Sequence, residues 1–255
     1  MTAVLLSGRR GGTTHREVEI LASLPPGLCL IGGLAVLCRV GVPHRTTVDL
    51  DVVTRDLAAG GGAALQRLAT TVTDPGRYSF ADGMDLDVIE VAPGDAAAVE
   101  AEFVAAGGPT DLELSVVAHT WAHDHATALD IVAVEDRTAD VLAEARDRPV
   151  ATTVGLVAMK AVVVPLRAGL RPEKRASDLY DLGRLLAVGR LTPADLEPLP
   201  PVLRARVLER LQQWFTDPAG RDRTYREVRR FDEPRLDLDD VADAVADLLG
   251  TDAAG

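Results

Sequence analysis

The segment TVDLDVV places Asp49 and Asp51 two residues apart in an alternating run, with Val48, Leu50 and Val52 as the intervening set. On a strand, residues at i and i+2 project from one face, roughly 6–7 Å apart given the rise per residue. Two ionised carboxylates held that close and kept dry repel each other. A cation between them removes the repulsion, and hard oxygen donors at that spacing suit Mg²⁺. Gly32 and Gly33 stand where a short apolar strand, CLI, gives way to a helix. Exposed N–H groups at such a helix start favour a phosphate. A further acid, Asp87, sits in the strand-like DLDVIEV, and Asp130 in ALDIVAV has the same setting. Asp87 ranks ahead of Asp130 as a third carboxylate, while Asp85 shares its face nearer the strand's edge. A lone Asp-x-Asp is also common on solvated strands, so these neighbours carry the weight.

A second group of ionisable residues lies later in the chain. Lys160 stands among Leu156, Val157, Met159, Val162, Val163 and Val164 on a helix. A lysine there either snorkels to the surface or meets an anion. Lys174, Asp178 and Asp181 follow at i, i+4 and i+7, which is one face of one helix. Alone they would read as a surface ion pair; beside the upstream acids they read as part of a site. Three histidines, His119, His123 and His125, crowd into HTWAHDH. Zinc ligation is conceivable there, but a polar hairpin between two strands is the simpler reading.

The elements that must position these residues follow from periodicity and punctuation. A capping box, Thr14-His15-Arg16-Glu17, starts a helix over about 14–24, and Pro25-Pro26-Gly27 ends it. A helix around 34–41 and a strand over 47–53 come next. AALQRLATTV reads as helix, YSF and DLDVIEV as strands, and DAAAVEAEFVAA as helix. DLELSVVAHTW and ATALDIVAV read as two further strands. From about residue 137 the pattern is almost wholly helical, beginning with TADVLAEAR. The GGG at 60–62 is a loop or a frayed helix start. This order gives an α+β first half, with its boundary at 1–136, and a helical part over 137–255.

Composition sets the outer bounds. The chain has 255 residues, 47% hydrophobic, 26% charged and only 4% aromatic. No stretch reaches the ~18–20 uncharged apolar residues of a membrane span, and the amino terminus lacks the order of a secretory leader. Cys29 and Cys38 read as buried free thiols, so a reducing, cytoplasmic setting is expected. With so few aromatics, Trp121 and Trp214 are expected as core anchors rather than base-stacking platforms. The net charge of −12 divides unevenly: −11 over 1–150, +6 over 151–230 and −7 over 231–255. A polyanion would meet the basic stretch, unless its arginines pair with the acidic helix carrying Asp239, Asp240, Asp243 and Asp247.

IGGLAVLCRVGVPHRTTVDLDVVTRD resembles the signature of polymerase β-type nucleotidyltransferases, and of the AbiEii/MenT toxin group in particular. Gly32, Gly33, Arg45, Thr46, Thr47, Asp49 and Asp51 are the matching positions. LVAMKAVVVPLRAGLRPEKRASDLYDLGRLL resembles the group's later motifs, with Lys160, Lys174 or Arg175, Asp178 and Asp181 as the matches. Many polymerase β-type enzymes have Gly-Ser in place of Gly32-Gly33, whereas the AbiEii/MenT group often has Gly-Gly; Thr46 or Thr47 could supply the hydroxyl instead.

The resemblance implies a nucleotidyltransferase N-terminal domain with a mixed sheet, a helical C-terminal domain and a cleft for NTP. Asp49, Asp51 and Asp87 would hold two Mg²⁺ ions, and Lys160 the triphosphate. Asp181 would orient or deprotonate; Gly33, Arg45, Lys174 and Asp178 would contact nucleotide. It also implies a toxin with a cognate antitoxin, and the 3′ end of tRNA as acceptor, met by the basic stretch 160–230. A small-molecule acceptor, or a silent nucleotide-binding module, are the alternatives.

Overall fold

The computed structural model describes residues 2–41, 44, 49–74, 76–81, 83–169, 171–231 and 234–250. The chain divides into two compact units, residues 1–93 with 125–152, and residues 94–124 with 153–255.

The first unit holds the sheet. Its strands are β1 (Thr2–Gly8), β2 (Cys29–Ile31), β3 (Asp49–Thr54), β4 (Thr71–Asp74), β5 (Arg77–Ser79), β6 (Asp85–Glu90), β7 (Thr127–Glu135) and β8 (Val141–Val150). Its helices are α1 (Thr13–Ser23), α2 (Gly32–Val40), α3 (Leu57–Gly60) and α4 (Gly62–Leu68). Among the described residues the strands form one mixed sheet in the order β1-β7-β8-β2-β3-β6-β5-β4. β3 lies antiparallel to β2 and parallel to β6. Leu50 and Val52 of β3 are fully buried and stand opposite Leu86 and Val88 of β6. That apolar register holds Asp49 and Asp51 on the other face, since a slip of one residue would bury both acids and expose the leucine.

Two arginines tie the helices to the sheet. Arg39, near the end of α2, donates from Nε to Ala151 O at 2.8 Å and from Nη2 to Val150 O at 2.7 Å. Arg148 of β8 donates to the carbonyls of Ala22 and Leu24, both at 2.9 Å, so a cation closes the C-terminus of α1. Cys29 and Cys38 are buried free thiols; burial pushes both up to about 12, which keeps them protonated.

The second unit is all helix. It contains α5 (Ala96–Ala105), α6 (Asp111–Asp124), α7 (Thr153–Leu166), α8 (Pro172–Gly189), α9 (Pro193–Leu196), α10 (Pro201–Leu211), a π turn (Gln212–Thr216), α11 (Pro218–Val228) and α12 (Leu238–Leu249). α7 is buried nearly all round and packs against α6, α8 and α10, as a helix apolar on every side must. Trp121 and Trp214 are both buried, in keeping with core anchors, and the Trp121 indole donates to Pro198 O. Buried Glu100 of α5 accepts from the N–H groups of Val202 and Leu203 at 3.0 and 2.7 Å, satisfying two orphan donors at the start of α10.

Four segments differ from the sequence reading; in AALQRLATTV the helix α4 stops at Leu68, and Thr71 opens β4. DLELSVVAHTW is helix α6, not strand. Thr110 and Glu113 close a capping box ahead of it: Glu113 Oε2 accepts from Thr110 N at 2.7 Å, and Thr110 Oγ1 from Glu113 N at 3.3 Å. TADVLAEAR runs into β8 instead of a helix, because antiparallel pairing with β7 outweighs the helix propensity of its alanines and glutamate. The amino-terminal apolar run, left unassigned from sequence, is β1 and pairs in parallel with β7. The α1 helix stands as expected, but Gly12 is its N-cap and no side chain caps it.

Glu100→Ala should destabilise the protein by about 1–3 kcal/mol, because two backbone donors lose their buried acceptor. Urea unfolding checks this, and Glu100→Gln, which keeps one acceptor oxygen, should recover part of the loss.

Candidate active site

Asp51 of β3 stands directly across from Asp87 of β6, and Asp49 across from Asp85. Asp49 and Asp51 share a face by alternation, so register and pleat bring three acids together. One carboxylate oxygen from each of Asp49, Asp51 and Asp87 lies within 4.8 Å of the other two, and all three residues are half-buried. Among the described residues this is the only group of three or more ligand-type side chains that close. Asp130 lies elsewhere: it is on β7, with β8 and β2 between it and β3, and it accepts from Asp147 N at 2.9 Å.

The glycine turn abuts this cluster. Ile31, the residue before the turn, pairs with Asp51 across β2 and β3, and α2 begins at once with Gly32. Gly32 has φ of +68°, and a Cβ built there would fall 2.1 Å from Asp51 Oδ2. Glycine is required twice over, by a left-handed backbone and by a carboxylate where a methyl group would be. The result is a helix start with open N–H groups beside three acids, an arrangement suited to a phosphate held near a cation.

Arg77 of β5 was not singled out from sequence. Its Nη2 donates to Asp85 Oδ2 at 2.8 Å, and its Nε lies 3.8 Å from Asp87 Oδ1. Ser79 donates to Asp85 Oδ1 at 2.6 Å. The Ser79 hydroxyl and then Arg77 hold Asp85 below the usual carboxylate range, so it stays charged and engaged. Asp85 is thereby occupied, whereas Asp87 meets Arg77 only at electrostatic range. The three-strand order β3-β6-β5 is the signal that would have found Arg77, and pairing partners are not readable from a single strand.

The second cluster is built within the helical unit. Lys160 of α7 donates to Asp178 Oδ1 and Asp181 Oδ2 of α8, both at 2.8 Å. Arg167 Nε lies 2.8 Å from Asp178 Oδ2. Lys160 and Asp178 are buried and Asp181 is wholly so. Burial works against the Lys160 charge, but Asp178 and Asp181 outweigh it and hold the ammonium above its ordinary range. Two cations and two anions thus nearly cancel in a dry site, and two of the three ammonium protons are engaged. Lys174 is half-buried, one turn before Asp178 on α8. The expectations for Arg45, Thr46 and Thr47 lie outside the described residues. The histidines do not converge: buried His119 contacts Ser115 O at 2.6 Å, while His123 contacts Asp124 at 3.0 Å. Among the arginines of 204–230, Arg206 and Arg210 pair with Asp111 and Arg221 with Asp239 of α12, all within the helical unit.

A mixed sheet with three convergent carboxylates and a glycine turn into a helix is consistent with a nucleotidyltransferase fold. The family model described as "Nucleotidyl transferase AbiEii toxin, Type IV TA system" matches residues 19–253, and the chain belongs to that family. It is therefore a nucleotidyltransferase, the toxin of a type IV toxin–antitoxin system, and that system implies an NTP substrate and a cognate antitoxin. No curated protein matches the chain. No helix among the described residues is long and apolar enough to cross a membrane. Hard carboxylate donors in a tight group could hold a divalent metal, which nucleotidyltransferases typically use.

Gly32→Ala should abolish nucleotidyl transfer while leaving a folded protein, because the methyl group and the Asp51 carboxylate cannot share one place. Circular dichroism beside a transfer assay checks both halves. Lys160→Met should cost about 3–5 kcal/mol, since Asp178 and Asp181 lose their buried counter-charge. The charged lysine stabilises the fold at pH values below the ordinary lysine value, about 10.5, and that contribution fades as pH rises through its higher folded value. The stability gap between wild type and Lys160→Met should therefore stay flat from pH 6 to 9 and narrow only above that value.

Proposed function

We propose that the protein transfers a nucleoside monophosphate from an NTP to the 3′ end of a tRNA-sized RNA, releasing pyrophosphate. The observation that supports this most is the convergence of Asp49, Asp51 and Asp87 beside the Gly32 turn, in a chain of a nucleotidyltransferase toxin family. Mg²⁺ held by these three carboxylates, two ions in our reading, would polarise the α-phosphate and neutralise charge on the leaving pyrophosphate. The start of α2, Gly32 and Gly33, offers N–H groups to phosphate oxygens. Asp51 and Asp87 face each other across the strand pair and fix the spacing that a cation and a phosphate must share. To Lys160 we assign the holding of an anion, with Asp178 and Asp181 as the groups that orient its ammonium within the helical unit. The basic balance of residues 151–230 favours a polyanionic acceptor over a small cation.

The test is label transfer from each of the four α-³²P NTPs, with Mg²⁺, to total RNA and to protein. Label should enter tRNA-sized RNA from a preferred NTP, and EDTA should stop it. Asp51→Asn should lower transfer about 10³-fold or more, the several kcal/mol that cation stabilisation supplies. In EDTA the same variant should melt no lower than wild type, because it relieves like-charge repulsion. Label found only in protein, or in a small molecule, would overturn the RNA reading.

A further inference from the structure

A pocket of about 480 Å³ opens on the helical unit where the end of α7, the start of α8, the π turn and α11 meet. Four guanidinium groups line it, from Arg175, Arg210, Arg223 and Arg230, against the single carboxylate of Glu227. None of these residues belongs to either cluster of the candidate active site. Glu227 is paired with Arg175. Arg210 lies 3.3 Å from Asp111, a carboxylate it shares with Arg206, and donates to Gln213 Oε1 at 3.1 Å. Its Nε is buried with no hydrogen-bond partner among the described residues. After those pairings, Arg223 and Arg230 leave two uncompensated positive charges. Arg223 is exposed and has no ion-pair partner among the described residues. Arg230 is aimed by backbone: Nη2 donates to Pro172 O and Nε to Glu227 O, each at 3.2 Å.

The floor of the pocket is built at some conformational cost. Gln213 and buried Trp214 lie in the π turn, a geometry that recurs at functional sites. A Cβ built on Gly220 would fall 1.6 Å from Gln213 O, so only glycine lets α11 rest on that turn. Arg223, one turn further along α11, and Trp214 both line the pocket. Guanidinium forks that carry uncompensated positive charge match phosphate oxygens, which accept two parallel N–H bonds from one arginine.

We propose that this pocket is a phosphate subsite for the RNA acceptor, in which Arg223 and Arg230 grip a backbone phosphate while Arg175 and Arg210 form a fixed cationic wall. The assignment rests on RNA being the acceptor and deepens that reading by naming where RNA is held. Because both gripping side chains lie outside the core, replacing them should leave the fold intact.

The test is fluorescence anisotropy of 5′-labelled tRNA with the full-length protein, without NTP, across a salt series. Arg223→Ala with Arg230→Ala should weaken binding about tenfold and lower the log–log salt slope by about 1, for the one phosphate given up. Thermal melting should stay at the wild-type value. Arg223→Lys should restore most of the slope, since a lysine keeps the charge. Calorimetry with sodium tripolyphosphate on the same variants separates the two sources of phosphate. Loss of tripolyphosphate binding with unchanged RNA affinity would assign the pocket to free phosphate and overturn the proposal. Unchanged affinity and slope, in a double variant whose wild type binds and labels RNA, would overturn it while the acceptor reading stands. A wild type that binds no RNA would overturn both.

Discussion

Asp49, Asp51 and Asp87 carry like charges, and the parallel register of β3 on β6 holds their oxygens within 4.8 Å despite the repulsion. The buried pairs Leu50–Leu86 and Val52–Val88 set that register from the opposite face. Hydrophobic burial on one side of the sheet thus maintains an electrostatically unfavourable arrangement on the other. At about 25 cal/mol per Å² of apolar surface, four such side chains contribute several kcal/mol, enough to hold half-buried carboxylates together. The Gly32 turn belongs to the same constraint. Asp51 occupies the space a side chain would need, so strand, turn and helix start are fixed relative to one another by a single absent methyl group.

The helical unit manages its charges in another way. Lys160, Arg167, Asp178 and Asp181 compensate one another inside the protein, at distances of 2.8 Å. Such buried networks are weak sources of net stability, since desolvation offsets most of the Coulomb gain, but they set orientation sharply. The sheet unit concentrates negative charge in three half-buried carboxylates, and the helical unit holds an ammonium in a defined direction. Preorganised charge of both signs is the usual means by which proteins stabilise transferring phosphoryl groups.

The parts of the fold legible in the sequence were those governed by local rules. Alternation marked β3 and β6, and with them Asp49, Asp51 and Asp87; the spacing of Asp178 and Asp181 put both on one face of α8. What the sequence left open depends on partners far along the chain. β1 and β8 take their identity from pairing with β7, which no window of ten residues contains. The apolar residues of α6 fit either period, so only Thr110 and Glu113, which cap it, mark it as a helix. Arg77 and Arg167 escaped notice for the same reason as β8: an arginine's role is set by the carboxylate it reaches across the fold.

The chain passes from one unit to the other after Pro93, Asp124 and Thr152. On the ribosome, the sheet unit has all its strands once residue 152 has emerged, whereas α5 and α6 by then have no core to join. α7 arrives next, but α10, whose start Glu100 closes, is some 80 residues behind α6. At about 5–20 residues per second, that is a wait of roughly 4–16 s. Val241, Val245 and Leu248 of α12 come last into the buried core. A nascent chain cannot complete the lysine–aspartate network before Asp181 is made, nor the arginine pocket before Arg230, so chains broken off earlier lack both.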